Sequence, residues 1–377
     1  MKTFRLLFTM ALAAAAMNAP GKEFLVYFGT YTGAVSHGIY VSRLDSATGS
    51  LSAPTLAAET TAPSFLAIAP GEKFLYAANS VSTFGGQNGG AVSAFAIDKT
   101  SGRLKLLNQE PSGGSDPCHL AVDATGGCLL VANYNTGTLK SFRLNPDGII
   151  GAAGSLLQHH GSSVNPSRQT AAHAHFICPD PSNHFALACD LGMDQVVIYR
   201  LDPAAGTLAA HGSVTLTPGS GPRHLAFSPD GKFAHVINEL ACTITTFAWD
   251  AAAGTLKPVE TISALPASLT ARPDFTAAEI LTAGNFVYAT VRGPDLVIVL
   301  AADPTSGRLQ FVQSLPAGGK MPRGLGVDPT FRWLFTGNQS TDNVVEFAID
   351  PATGKLSPAH RELKIGSPVD VKFVPAE

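Results

Sequence analysis

Apolar residues along this chain come in short runs closed by turn residues. In one unit Pro222 opens the run Pro222-Arg-His-Leu-Ala-Phe227, and Ser228 to Gly231 forms a Ser-Pro-Asp-Gly turn. A second run, Phe233 to Asn238, ends at an Asn, and Thr243 to Trp249 then alternates apolar with polar positions. Proline and Asp-Gly set tight turns, and alternation marks a half-buried strand, so each unit predicts a hairpin-linked set of short strands. A phrase recurs between units: Asp, three residues, Gly, one residue, Leu. It starts at Asp45, Asp98, Asp202, Asp250, Asp303 and Asp350, and a shortened variant, Asn145-Pro-Asp-Gly148, supplies a seventh copy. From Asp45 to Asp350 there are six intervals of about 51 residues, the period of a propeller-like array of four-stranded units. In each phrase Gly provides positive φ and Asp caps its own backbone, so these aspartates are structural.

The two ends predict closure. After its first residues the chain begins with a second-strand phrase, Phe24-Leu-Val-Tyr-Phe-Gly-Thr30, and it stops with an opening-strand phrase, Pro368-Val-Asp-Val-Lys-Phe373. One blade is therefore made from both termini, which removes exposed sheet edges. The expected fold is all-β: a single seven-bladed β-propeller over residues 20–377, its C-terminal strand paired into the N-terminal blade. The longest irregular stretches, Gly151 to Ala172 and Pro266 to Ala277, are expected as loops decorating one face.

Composition narrows the function. Charged residues make up 14% of 377, and the formal net charge is −3, so there is no basic field for nucleic acid and no charged patch for a membrane surface. The 37 Gly and 26 Pro are spread evenly, as a chain full of turns requires. Lys2 and Arg5 precede an apolar run from Leu6 to Ala16 and small residues up to Ala19, the layout of a secretory signal peptide over residues 1–19. Export to the periplasm or the medium is expected, with a cytoplasmic location the alternative if this leader is not a signal. The five cysteines share no CxxC spacing and sit in apolar runs such as Cys128-Leu-Leu-Val131, so they read as packing residues.

Because the units repeat, they serve as controls for one another. The position after the opening Pro holds Ser64, Cys118, His175, Arg223, Ala278, Arg323 and Val369. The position after the second strand's terminal Asn holds Tyr31, Ser80, Tyr134, Leu191, Glu239, Arg292 and Gln339. Antiparallel pairing brings both slots to one face of the ring, so His175, Arg223, Glu239, Arg292 and Arg323 are expected to cluster there. Guanidinium groups bind a carboxylate or phosphate and stabilise a developing oxyanion, while Glu or His takes a proton. The alternative is a salt-bridge ring that braces the channel. His119, His173, His224 and Glu279 are adjacent candidates, with His173, His224, Glu279, Gln339 and Arg323 placed around a substrate. Asn79, Asn133, Asn238 and Asn338 recur too regularly to be specific and are assigned to turn capping. His173-Ala-His175 could hold a metal, but no third ligand accompanies it, so neither metal nor cofactor is expected.

These residues carry a resemblance. Gly29-Thr-Tyr-Thr, Pro117-Cys-His119, Val131-Ala-Asn-Tyr134, Arg168-Gln, His173-Ala-His175, Asp190-Leu-Gly192, Gly221-Pro-Arg-His224, Asn238-Glu-Leu240, Arg292-Gly, Pro322-Arg and Asn338-Gln resemble the lactonase family of seven-bladed propellers. That family is typified by propeller-type 6-phosphogluconolactonases and is related to carboxymuconate-lactonizing enzymes. The resemblance spans Phe24 to Pro375 and implies His175, Arg223, Glu239 and Arg292 as active-site groups. The chain departs from the pattern at Ala172, at Val291 and in a shortened turn after Leu281. The implied activity is hydrolysis of a sugar-acid lactone by a monomer acting on a small anionic substrate. Arg223 and Arg292 would hold the substrate, and Glu239 or His175 would activate water. A lactonizing cycloisomerase of a muconate-type acid, or a non-catalytic propeller that binds a sugar acid or a protein, are the alternatives.

Overall fold

Seven antiparallel sheets, six of four strands and one of five, stand around a central axis in the computed structural model, which describes residues 21–377. The signal-peptide expectation falls on residues outside the described ones. In the blade typified by residues 222–263, Pro222–Phe227 is innermost, followed outward by Phe233–Asn238, Thr243–Asp250 and Thr255–Ser263. The blade numbered first here is composite. Its innermost strand is Pro368–Pro375, paired antiparallel to Glu23–Thr30, and Gly38–Asp45 lies outside that. Blades two to seven then begin at Pro63, Pro117, Ala174, Pro222, Thr276 and Pro322.

The repeated loop does more than turn the chain, because each copy docks on the preceding blade. Tyr27 Oη donates to the Gly102 carbonyl at 3.1 Å, Tyr76 Oη to Gly148 at 2.9 Å and Tyr288 Oη to Gly354 at 3.0 Å. At the closing junction Trp333 Nε1 donates to the Ser46 carbonyl at 2.9 Å, which ties blade seven to the composite blade. Gly254 has φ +67 and lies so close to Phe185 that a Cβ would overlap the ring. Gly254→Ala is therefore expected to lower stability by about 1–3 kcal/mol through overpacking and an unfavourable φ, measured as a shifted denaturant midpoint with unchanged m. An unchanged midpoint would mean that the loop gives way without cost.

One loop is shorter than the sequence pattern suggested. Residues 151–158 belong to the outermost strand of blade three, Ile150–Gln158, which pairs with Thr138–Leu144 through two register shifts. Its Gly-Ala-Ala-Gly start offers no alternation to read, and pairing with a neighbour supplies what intrinsic preference does not. The remaining loop, residues 159–173, is tied down by polar contacts. His159 bridges Asp190 at 2.6 Å and Tyr199 Oη at 2.7 Å, and Gln169 Nε2 donates to the Leu191 carbonyl at 2.9 Å. Three of the recurrent asparagines hold backbone: Asn79 Nδ2 donates to the Thr61 carbonyl at 2.6 Å, Asn133 Nδ2 to Ser112 at 3.0 Å and Asn338 Nδ2 to Ala317 at 3.1 Å, while Asn238 Nδ2 donates to the hydroxyls of Thr243 and Thr245.

Candidate active site

All seven innermost strands carry a register shift at the same place. Pro63 pairs with Asn79 but Phe65 with Ala78, and the same extra residue appears as Cys118, His175, Arg223, Arg323 and Val369. In blade six the shift lies between Ala277 and Ile280. A bulge of this kind sets two consecutive residues against one on the neighbouring strand and re-aims their side chains. Each blade can therefore present two successive residues to the channel, which becomes two-tiered. One tier holds Ser64, Cys118, His175, Arg223, Ala278 and Arg323. The other holds Phe65, His119, Phe176, His224, Glu279 and Asp370.

Charge gathers on the blade-four to blade-seven side of the first tier. Glu239 is 3% exposed, and both of its oxygens are taken by guanidinium groups. Arg168 Nη2 reaches Oε1 at 2.7 Å, while Arg292 Nη2 lies 3.1 Å and Arg223 Nε 3.2 Å from Oε2. Arg223 Nε is near that oxygen but not aligned for a hydrogen bond, and it and Arg292 Nε are buried donors without an acceptor. Backbone carbonyls hold both arginines: Arg223 Nη1 donates to Ala278 at 2.6 Å and Arg292 Nη2 to Ala277 at 2.9 Å. Burial by itself raises the Glu239 carboxyl, but Arg292, Arg223 and Arg168 overcome it and hold the group well below the usual carboxylate range. Burial, with Arg323 and Arg292 beside it, brings Arg223 down to about 10.

His175 is 4% exposed, and its Nδ1 is sealed without a hydrogen-bond partner. Burial, reinforced by Arg223 and His224, keeps its ring well below the ordinary imidazole value, so it is neutral at physiological pH. Arg323 donates from Nη2 to Tyr31 Oη at 3.1 Å, and its guanidinium lies 5.5 Å from the Tyr31 ring centre. Among the described residues no carboxylate comes within ion-pair distance of it. Gln339 adds a buried Oε1 without a partner. The blade-two and blade-three side is built of small groups, with Ser64 Oγ 2.6 Å from Ser80 Oγ.

The structure brings His175, Arg223, Glu239 and Arg292 together, but it places the adjacent candidates differently from one another. His173 is half-buried, stacks on Tyr134 with ring centres 4.6 Å apart and has Nδ1 3.0 Å from the Tyr134 carbonyl. Among the described residues no three metal-ligating side chains cluster. His224 and Glu279 lie in the second tier and pair with each other, Nδ1 to Oε1 at 2.7 Å. Phe65, His119, Phe176 and His224 pack ring on ring there, His119 lying 4.1 Å from both Phe65 and Phe176. Lys372 sits 4.4 Å from the Phe65 ring centre and 2.6 Å from Asp370 Oδ1.

Arg168 was the residue the repeat comparison could not find. It comes from the loop at 159–173, outside the repeated strands, so no alignment of the strand phrases reaches it. Its Nη2 also donates to Tyr134 Oη at 3.0 Å, and Tyr134 stood in the aligned slot without a charge to mark it.

Known proteins share this fold and much of this sequence. A sequence model described as "Lactonase, 7-bladed beta-propeller" matches residues 25–373. A 6-phosphogluconolactonase of Bacillus subtilis is 35% identical over 352 residues, 93% of this chain and 99% of that protein. A periplasmic gluconolactonase of Pseudomonas aeruginosa superposes with TM-score 0.88 at 33% identity, covering 94% of this chain and all of that one. A structure titled a putative 6-phosphogluconolactonase, from Bacteroides fragilis, gives TM-score 0.87 at 33% identity, covering 94% and 98% of the two chains.

Proposed function

The chain belongs to the lactonase family of seven-bladed β-propellers, and on that premise we propose that it hydrolyses the ring ester of a sugar-acid lactone, 6-phosphogluconolactone in particular. The observation that carries this reading is the charge balance of the first tier: three guanidinium groups converge on the one carboxylate of Glu239 and a fourth, Arg323, has none, in a protein whose formal net charge is −3. Such a site attracts an anion and stabilises negative charge that develops on a carbonyl oxygen.

The roles follow from what each group has left to offer. With both carboxylate oxygens taken by guanidinium groups, Glu239 is a poor proton acceptor. It acts as the brace that aims Arg168, Arg223 and Arg292. The neutral imidazole of His175 is then the base that takes a proton from water as the oxygen attacks the lactone carbonyl. The buried N–H groups of Arg223 and Arg292 face the developing oxyanion. Arg323, free of any carboxylate, reads the substrate's distal anion, with Tyr31 holding it in place.

The leader makes this an exported enzyme in our reading. An unphosphorylated aldonolactone would then be a substrate alongside the phosphorylated one, as the name of the Pseudomonas aeruginosa protein suggests. The deciding experiment is hydrolysis of 6-phosphogluconolactone and of gluconolactone by the purified protein, followed as proton release above the spontaneous rate. Turnover of neither would overturn the lactonase assignment. In the same assay Arg323→Gln is expected to raise KM for the phosphorylated lactone by about tenfold to a hundredfold, the worth of one charge-assisted hydrogen bond, and to leave KM for gluconolactone nearly unchanged. Equal effects on the two would remove Arg323 from phosphate recognition.

A further inference from the structure

The second tier contains a buried histidine–carboxylate pair that the hydrolytic scheme above does not use. His224 is 1% and Glu279 8% exposed. Glu279 Oε1, 2.7 Å from His224 Nδ1, also accepts from the Ile280 amide at 3.1 Å, which fixes the carboxylate. With Glu279 ionised, that contact puts the proton on Nδ1 and leaves His224 Nε2 as an acceptor. His224 Nε2 is buried and has no partner. The same is true of His175 Nδ1, and the two rings stand edge to face with centres 5.1 Å apart. Two unpartnered buried polar atoms on adjacent rings would each carry the full cost of desolvation, whereas one hydrogen bond or one bridging water between them satisfies both.

The geometry points to a proton relay, Glu279 to His224 to His175, that fixes which nitrogen of His175 is the base. This inference rests on the lactonase reading. Glu279 accepts from His224 Nδ1–H, and His224 Nε2 accepts from His175 Nδ1–H through one bridging water. His175 Nε2, on the other side of that ring, is then the free lone pair. As the water oxygen bonds to the lactone carbonyl carbon, its O–H bond breaks and the proton goes to His175 Nε2. The Nδ1 proton shifts toward His224 Nε2, and the His224 Nδ1 proton shifts toward Glu279. When the ring C–O bond breaks, the leaving alkoxide takes the proton from His175 Nε2 and the chain resets. Atoms and charge balance with no other reactant. His224 and Glu279 are positioning residues, and they act through His175.

Cations surround the pair. Arg223 precedes His224 on its own strand, Arg292 lies on the strand that follows Glu279, and Arg323 and Lys372 come from blade seven and the composite blade. His119 packs on the remaining side, its ring centre 5.1 Å from that of His224. This field opposes a protonated His224 and favours passing the charge toward Glu279, the acidic partner in contact with the relay.

Glu279→Gln keeps the shape and an acceptor for Nδ1–H but removes the charge that draws the proton. It is expected to lower kcat by about tenfold to a hundredfold with KM unchanged, and to change the acid limb of the kcat–pH profile, which a purely structural substitution would leave in place. Long-range proton–nitrogen spectra of the histidine rings in the wild-type protein, which require neither activity nor a folded variant, are expected to show His224 and His175 both as neutral Nδ1–H tautomers. An Nε2–H tautomer at His224, or a folded Glu279→Gln variant with wild-type kcat and pH profile, would overturn the relay. A wild-type protein that turns over no lactone would overturn the lactonase reading instead, while the ring spectra would still decide the hydrogen-bond chain.

Discussion

His175→Asn is expected to lower kcat for lactone hydrolysis by about a hundredfold to ten-thousandfold, the usual worth of a positioned general base, with KM and thermal stability little changed. Asparagine fits the site and can still hydrogen-bond, but it cannot accept a proton at neutral pH. The pH profile of the wild-type enzyme makes the case sharper. Burial, Arg223 and His224 depress the folded-state value of His175, so the unprotonated ring persists as pH falls through the ordinary imidazole range. Activity limited by His175 should therefore hold steady from neutral pH to well below 6.5, and fall only when the ring finally protonates. The linkage has a matching sign. A histidine held neutral in the folded state stabilises the fold fully above its unfolded value, and that contribution is lost as pH falls below it, because the unfolded chain then binds the extra proton. An acid limb at ordinary histidine pH in wild type, or wild-type kcat in the variant, would remove His175 as the base.

Glu239→Gln is the second large effect, and its character separates a brace from a base. The carboxylate pairs with three guanidinium groups, two of which are almost wholly buried; Arg223 is 2% and Arg292 5% exposed. Removing one partner of a buried ion pair typically costs about 3–5 kcal/mol, because the remaining charge is left without compensation. The variant is expected to lose stability on that scale in denaturant titrations, and to lose substrate affinity together with turnover as the arginines repel one another out of place. A base role makes the opposite forecast: kcat falls, while KM and the unfolding midpoint stay where they were. Measuring both quantities on one preparation decides between them. The stability that Glu239 confers should also depend on pH. Its folded value lies below its unfolded one, so the contribution is fully present above the ordinary carboxylate range and is lost progressively as pH falls from there through the depressed value.

Much of this molecule could be read before any coordinates. The Asp-x-x-x-Gly-x-Leu phrase announced the blade count, because a unit that cannot bury its faces alone must stack on copies of itself, and a repeat in structure leaves a repeat in sequence. The terminal phrases announced closure for the same reason: Phe24–Thr30 lacks an inner neighbour unless Pro368–Phe373 supplies it. Comparing blades also picked out His175, Arg223, Glu239 and Arg292, since any residue that breaks a structural repeat has some other reason to be there.

What tertiary structure alone decided lies in the exceptions to the repeat and in the local backbone. Arg168 sits on a loop outside the repeated strands, and only the folding back of residues 159–173 over the channel brings it to Glu239. The bulge at the start of each inner strand adds a residue to the ladder without marking the sequence, yet it is what can turn both Arg223 and His224 toward the axis and create a second tier. The contact of His224 with Glu279 joins residues 55 apart, on different blades. Sequence determined which side chains were available, because chemistry resides in residue types and the repeat set their height in the ring. Distance decided which of them act on one another, because proton transfer and ion pairing depend on ångströms that the order of residues does not encode.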